Sequence, residues 1–248
     1  MEEQKIKKFE DFPTSKSKDF EEIKEVKPEE LEKKKISDWI LLISAAAIII
    51  IIALIMILKP NKEEAPKTID DLHLLNLNGK LKPEAGYVHN GYSFVFNNGL
   101  WYTQVQTISG TNLFDVPLHY GPRDLEDIPV EGQFNAVIFN SERNIYITFD
   151  PLGQNLQYVA LAVSEFDQSI VQAFNKIPIA SCDKNETLAC SDRPIITCEN
   201  KDIPILYVQQ KEETKVIFND NCIIVQGQGP EIVRSVDRLL LKLYGIMP

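Results

Sequence analysis

WILLISAAAIIIIIALIMIL, residues 39–58, decides what kind of molecule this is, because Ser44 is the only polar side chain in twenty consecutive residues. At a helical rise of about 1.5 Å per residue the stretch spans about 30 Å, the thickness of a bilayer's hydrocarbon core. A helix buried in a soluble protein normally keeps a polar face over that length, and this one has none. The sequence therefore predicts a transmembrane helix over 39–58, with Trp39 as interfacial anchor and Lys59-Pro60 closing the far end. A cleaved signal peptide is the competing reading. Thirty-eight polar-rich residues precede the run, it exceeds the length of a signal peptide's apolar region, and no small-x-small pattern follows Leu58. The segment is expected to stay as an uncleaved signal anchor.

Two independent features orient it. Lys24, Lys27, Lys33, Lys34 and Lys35 precede the span, against Lys59, Lys62 and Lys67 after it, which favours a cytoplasmic N-terminus. All four cysteines and the Asn185-Glu186-Thr187 sequon follow the span, where an oxidising, glycosylating compartment would use them. The expected location is the cell membrane, single-pass, with the C-terminal domain outside.

The chain of 248 residues divides around the span. Residues 1–38 hold ten Lys and twelve Asp or Glu, with apolar residues too scattered for a core, and are expected to form a charged, largely disordered cytoplasmic tail. Within it, Pro28-Glu29-Glu30 suits a helix start running into the membrane. Residues 59–69, with two prolines and no apolar periodicity, read as a stalk, and residues 70–248 as one domain. Of the net charge of -10, the tail carries -2 and the rest -8. That acidity argues against a nucleic-acid partner, which needs clustered Lys and Arg.

The fold class expected of the domain is α+β, a mainly antiparallel sheet with helices on one face. Residues 92–96 and 100–107 are β-rich and joined by Asn97-Asn98-Gly99, a hairpin signal. Residues 134–139 and 144–149 repeat the pattern around a polar turn, and strands are expected at 203–209, 215–219 and 222–226. Leu156, Val159, Val163, Phe166, Ile170 and Phe174 lie on one face of a helix over about 155–176, and Ile232, Val236, Leu239 and Leu243 on one face of a helix over about 230–244.

Cys182, Cys190, Cys198 and Cys222 lack the two-to-four-residue spacing that opens structural zinc sites, so they read as disulfides and no metal or other cofactor is expected. Of three connectivities, the preferred one closes the polar CDKNETLAC loop with Cys182–Cys190 and ties strand ends with Cys198–Cys222. Asn185, inside the first ring, is the candidate glycosylation acceptor.

The most suggestive polar stretch is DVPLHYGPRDLED, residues 115–127. Asp115, His119, Arg123 and Asp124 form its candidate functional set, because a loop with His, Arg and carboxylates suits a general base or a charged binding surface. Structural accounts compete: Gly121 and the prolines explain a loop, and Asp124 and Asp127 can cap turns. His119 has no partner at a recognisable spacing, and no nucleophile elbow or HExxH pair occurs. Gly227-Gln228-Gly229 reads as the turn into the last helix. The sequence thus leans towards a non-enzymatic, membrane-integral binding or assembly module with a protein partner at the envelope. The alternatives are a surface-anchored hydrolase using the 115–127 loop, and a ligand sensor acting through a cytoplasmic partner.

Overall fold

The computed structural model describes residues 28–58, 66, 68–107, 110 and 112–248. The chain divides into two compact units, one ending at Glu64 and one beginning at Ala65. The tail up to residue 27 and residues 59–65 and 67 of the stalk lie outside the described residues.

In the first unit, α1 runs unbroken over Pro28–Leu58. The helix start expected at Pro28-Glu29-Glu30 is where α1 begins, so the last part of the charged tail is helical. Its EELEKKK run is made of good helix formers and meets the apolar stretch with no breaker between them. Among the described residues one helix is long and apolar enough to cross a membrane. Its window is Trp39–Ile57, of mean hydropathy 3.3, with none of it buried.

The second unit is α+β, with an antiparallel sheet and several helices. It opens on α2 (Ile69–Leu77), so the stalk as read gives way to helix at Ile69. A capping box starts the helix: the Asp71 N–H donates to Thr68 Oγ1 and the Thr68 N–H donates to the Asp71 carboxylate, each at 3.1 Å. Four strands follow as an antiparallel meander: β1 (Gly86–His89), β2 (Tyr92–Asn97), β3 (Leu100–Gln106) and β4 (Leu113–Leu118). Asn98 and Gly99 both take positive φ, 51° and 86°, as the hairpin signal requires. Asn90 and Gly91 (49° and 86°) do the same between β1 and β2, a hairpin not anticipated because β1 has only four residues. Alternation gives this sheet two faces. Phe94, Val116 and Leu118 point into the core, and α2 docks on the other face, where His73 Nδ1 meets Ser93 Oγ at 2.8 Å.

The second sheet has the order β5-β9-β10-β8-β6-β7, from β5 (Val130–Phe134), β6 (Asn144–Phe149), β7 (Ile177–Ala180), β8 (Ile205–Gln210), β9 (Lys215–Asp220) and β10 (Cys222–Gly227). It corrects the expectation of a mainly antiparallel domain: four of its five pairings are parallel, and β9–β10 alone is antiparallel. The physical reason is that both faces are covered, which is the setting in which parallel strands occur. On one face Ile147, Leu206, Ile223 and Phe218 stand in register, in one core with α4 (Leu156–Phe174) and α5 (Glu231–Leu243), the two helices expected at these positions. On the other face Ile205 and Cys222, both fully buried, pack with Ile196. The residues following β7 cover that face. They are pinned by Thr148 Oγ1 donating to the Ile196 carbonyl (2.8 Å), by the Tyr207 hydroxyl donating to Asp183 Oδ2 (2.8 Å), and by two disulfides.

A second correction concerns residues 134–139, expected as a strand paired with 144–149. Phe134 ends β5, which pairs with β9, and Ala136–Ser141 form the short helix α3. Asn135 makes the switch. Its Oδ1 accepts the backbone N–H groups of Val137 (3.1 Å) and Ile138 (3.3 Å), a cap that a strand has no use for.

Candidate functional site: a buried carboxyl pair behind His119

The residues singled out in the 115–127 stretch do not converge. Asp115 alternates to the outer face of the first sheet, where Gln104 Nε2 donates to its Oδ1 at 3.0 Å and also to Asp70 at 2.6 Å. Arg123 lies over the Tyr87 ring, its guanidinium carbon 3.8 Å from the centroid. Asp124 closes a turn, its Oδ2 accepting the Gly121 N–H at 3.3 Å. Gly121 is required there because a Cβ would meet the Tyr87 hydroxyl at 2.4 Å. Burial pushes that phenol up to about 12.

His119, immediately after β4, turns instead towards the helices. Its Nδ1 bonds Glu165 Oε1 on α4, a partner 46 residues away in the chain. Behind Glu165 lies Asp237 of α5, fully buried, whose Oδ2 accepts the backbone N–H of Tyr120 at 2.8 Å. Glu165 Oε2 and Asp237 Oδ1 are both buried and meet no donor. The charge of Glu165 acts on Asp237, so the two carboxyls do not titrate independently. Burial raises the proton affinity of both. Asp237 is raised further by the charge of Glu165, whereas the bond to His119 pulls Glu165 back down.

Glu165 and Asp237 were missed in the sequence although a signal was present. Glu165 shares the helical phase of buried Ala162, Phe166 and Ser169, and Asp237 that of buried Val233, Val236, Leu240 and Leu241. An acid at a core-facing phase of an amphipathic helix needs a partner, and partners here come from other elements.

Beyond His119, the loop edge and the first turns of α5 form a groove lined by Tyr120, Arg123, Asp124, Glu126, Asp127, Glu231 and Arg234. Arg234 holds the loop to the helix by donating to Asp127 Oδ1 and Glu231 Oε2, each at 2.7 Å, and to the Asp124 carbonyl. Four carboxylates against two guanidiniums leave the groove acidic.

Elsewhere, the two disulfides join Cys182 to Cys190 and Cys198 to Cys222, with Cα atoms 6.0 and 5.4 Å apart, and no cysteine is free among the described residues. Asn185 is exposed within the first ring. Among the described residues no three His, Cys, Asp or Glu side chains are grouped to hold a metal ion.

One further acid is displaced by burial. Asp167 on α4 has an unpartnered buried Oδ1, and desolvation pushes its carboxyl up to about 6. Because the folded form holds this proton more tightly than the unfolded chain, the stability lost through Asp167 accrues as pH rises from about 4 to about 6. Asp167→Asn is expected to stabilise the protein by about 1–2 kcal/mol at neutral pH and to be nearly neutral at about pH 4, read as the pH dependence of the difference in urea denaturation between variant and wild type.

Compared with known proteins, the chain matches no family model, no curated protein and no solved structure.

Proposed function

We propose that this chain is a single-pass membrane protein, anchored through residues 39–58 with its N-terminus cytoplasmic, whose disulfide-stabilised α+β domain stands outside and serves as a binding or assembly module for a protein partner at the cell envelope. The observation that carries the reading is the pairing of an unburied apolar helix with a separate compact unit whose four cysteines all form disulfides. The net charge of -8 outside the tail fits a domain that stands off an anionic lipid surface and meets a protein instead.

The test is topological. In intact cells an impermeant thiol reagent is expected to label Glu212→Cys in the domain and to miss Ser15→Cys in the tail. Labelling of the tail alone overturns the orientation. Deleting residues 39–58 is expected to move the protein from the carbonate-resistant membrane pellet to the soluble fraction, and retention in the pellet overturns the anchor.

A second reading, a surface-anchored hydrolase, is favoured by one observation: His119 is held through Nδ1 by a buried carboxylate, the arrangement that orients an imidazole for proton transfer. Ester and amide hydrolysis by the purified chain, lost in His119→Ala, would select it over the binding module.

A further inference from the structure

The carboxyl pair is the junction of three elements. From the loop come the His119 ring and the Tyr120 N–H, from α4 Glu165, and from α5 Asp237. The charged and titratable groups around Tyr120 are Glu231 and Arg234 of α5 and Tyr158 of α4. Each carboxyl uses one oxygen to hold the loop, and the other oxygen of each is buried without a partner.

We propose that Glu165 and Asp237 share one proton between their two unpartnered oxygens and that this proton is a pH-sensitive latch on the 119–127 loop: while it is held, His119 and Tyr120 are fastened to α4 and α5, and when it leaves for bulk water the two buried like charges drive the fastening apart. The release lies above the ordinary carboxylate range, because burial disfavours ionisation of both groups and the charge of Glu165 opposes ionisation of Asp237 as well. Tyr120, Arg123, Asp124 and Asp127 ride on the same loop and line the acidic groove, so the latch regulates that surface whichever partner or substrate meets it. In acid and near-neutral conditions the groove is ordered; in alkaline conditions the loop loosens while Arg234 still tethers Asp127.

Hydrogen–deuterium exchange of the full chain in lipid nanodiscs tests this. Protection of peptides covering 119–127, corrected for the intrinsic base-catalysed rate, is expected to fall about tenfold or more between about pH 5 and about pH 9, while α5 peptides keep theirs. Asp237→Asn keeps an acceptor for the Tyr120 N–H and supplies a fixed donor to Glu165, so its profile is expected to be flat. Glu165→Gln is expected to be flat for the same reason. A flat wild-type profile, a fall shared by the whole domain, or a fall that survives in both variants overturns the latch. Should neither variant fold, infrared spectroscopy in the Asp167→Asn background decides: a protonated carboxyl band at about pH 7 that disappears on alkalinisation supports the latch, and its absence at about pH 7 overturns it.

Discussion

Phe166→Ala is expected to cost about 3–5 kcal/mol, a large share of the roughly 5–15 kcal/mol by which a domain of this kind is stable. Phe166 is fully buried on α4, in the core that holds inward residues of both sheets together with α5. Truncation removes the ring's transfer free energy and leaves a cavity that rigid surroundings collapse only in part. The neighbouring Glu165 adds a local reason for little relaxation, since moving α4 would strain the carboxyl pair. Urea denaturation is the measurement: the midpoint should fall with the slope unchanged, and a loss below about 1 kcal/mol would show that α4 is not packed as described.

Replacing Cys198 and Cys222 together by Ser is expected to cost about 3–4 kcal/mol, and the corresponding change at Cys182 and Cys190 about 1 kcal/mol less. The bridges differ in the chain they close, with sequence separations of 24 and 8, and the entropy a crosslink removes from the unfolded chain grows with ring size. The longer bridge also buries Cys222 against Ile205 and Ile196 and anchors the segment over the outer face of the second sheet. That segment has no long helix or strand of its own; besides the bridges it is held by a 3-10 turn at Leu188–Cys190, the Cys182–Ile195 pairing, the Lys184–Asp150 ion pair, the Asp183 N–H donating to the Phe149 carbonyl, and hydrogen bonds from Thr148, Tyr207 and Asn221. Thermal denaturation should show a drop of about 6–16 °C for the Cys198/Cys222 double variant and a smaller one for the other pair. Equal drops would mean that ring size does not govern the effect.

The elements legible in the sequence share one property: their signal is local. The Asn98-Gly99 turn announced its hairpin because only residues tolerant of positive φ fit both central positions. α4 and α5 were legible because an apolar stripe at helical spacing is contained in the helix itself. Residues 134–139 misled because FNAVIF satisfies strand composition while Asn135, one residue into it, caps a helix. The choice between a parallel and an antiparallel second sheet was not local at all. β8 and β10 read as apolar runs whichever neighbours they take, and their parallel pairing depends on which segments arrive to cover both faces.

The candidate site shows the same division more sharply. His119 stood out because a histidine in a proline-rich loop is visible in a line of text, whereas Glu165 and Asp237 hid within helical stripes 46 and 118 residues further on. The sequence by itself determined the apolar 39–58 stretch, the two long helices, the Asn98-Gly99 hairpin and the supply of four cysteines, because each is set by residues within a few positions of one another. Only the tertiary structure decided that two acids meet behind one histidine, that the second sheet is mostly parallel, and which polar groups of the loop stay in solvent. Those outcomes depend on burial, and burial is decided by parts of the chain that meet only when it folds.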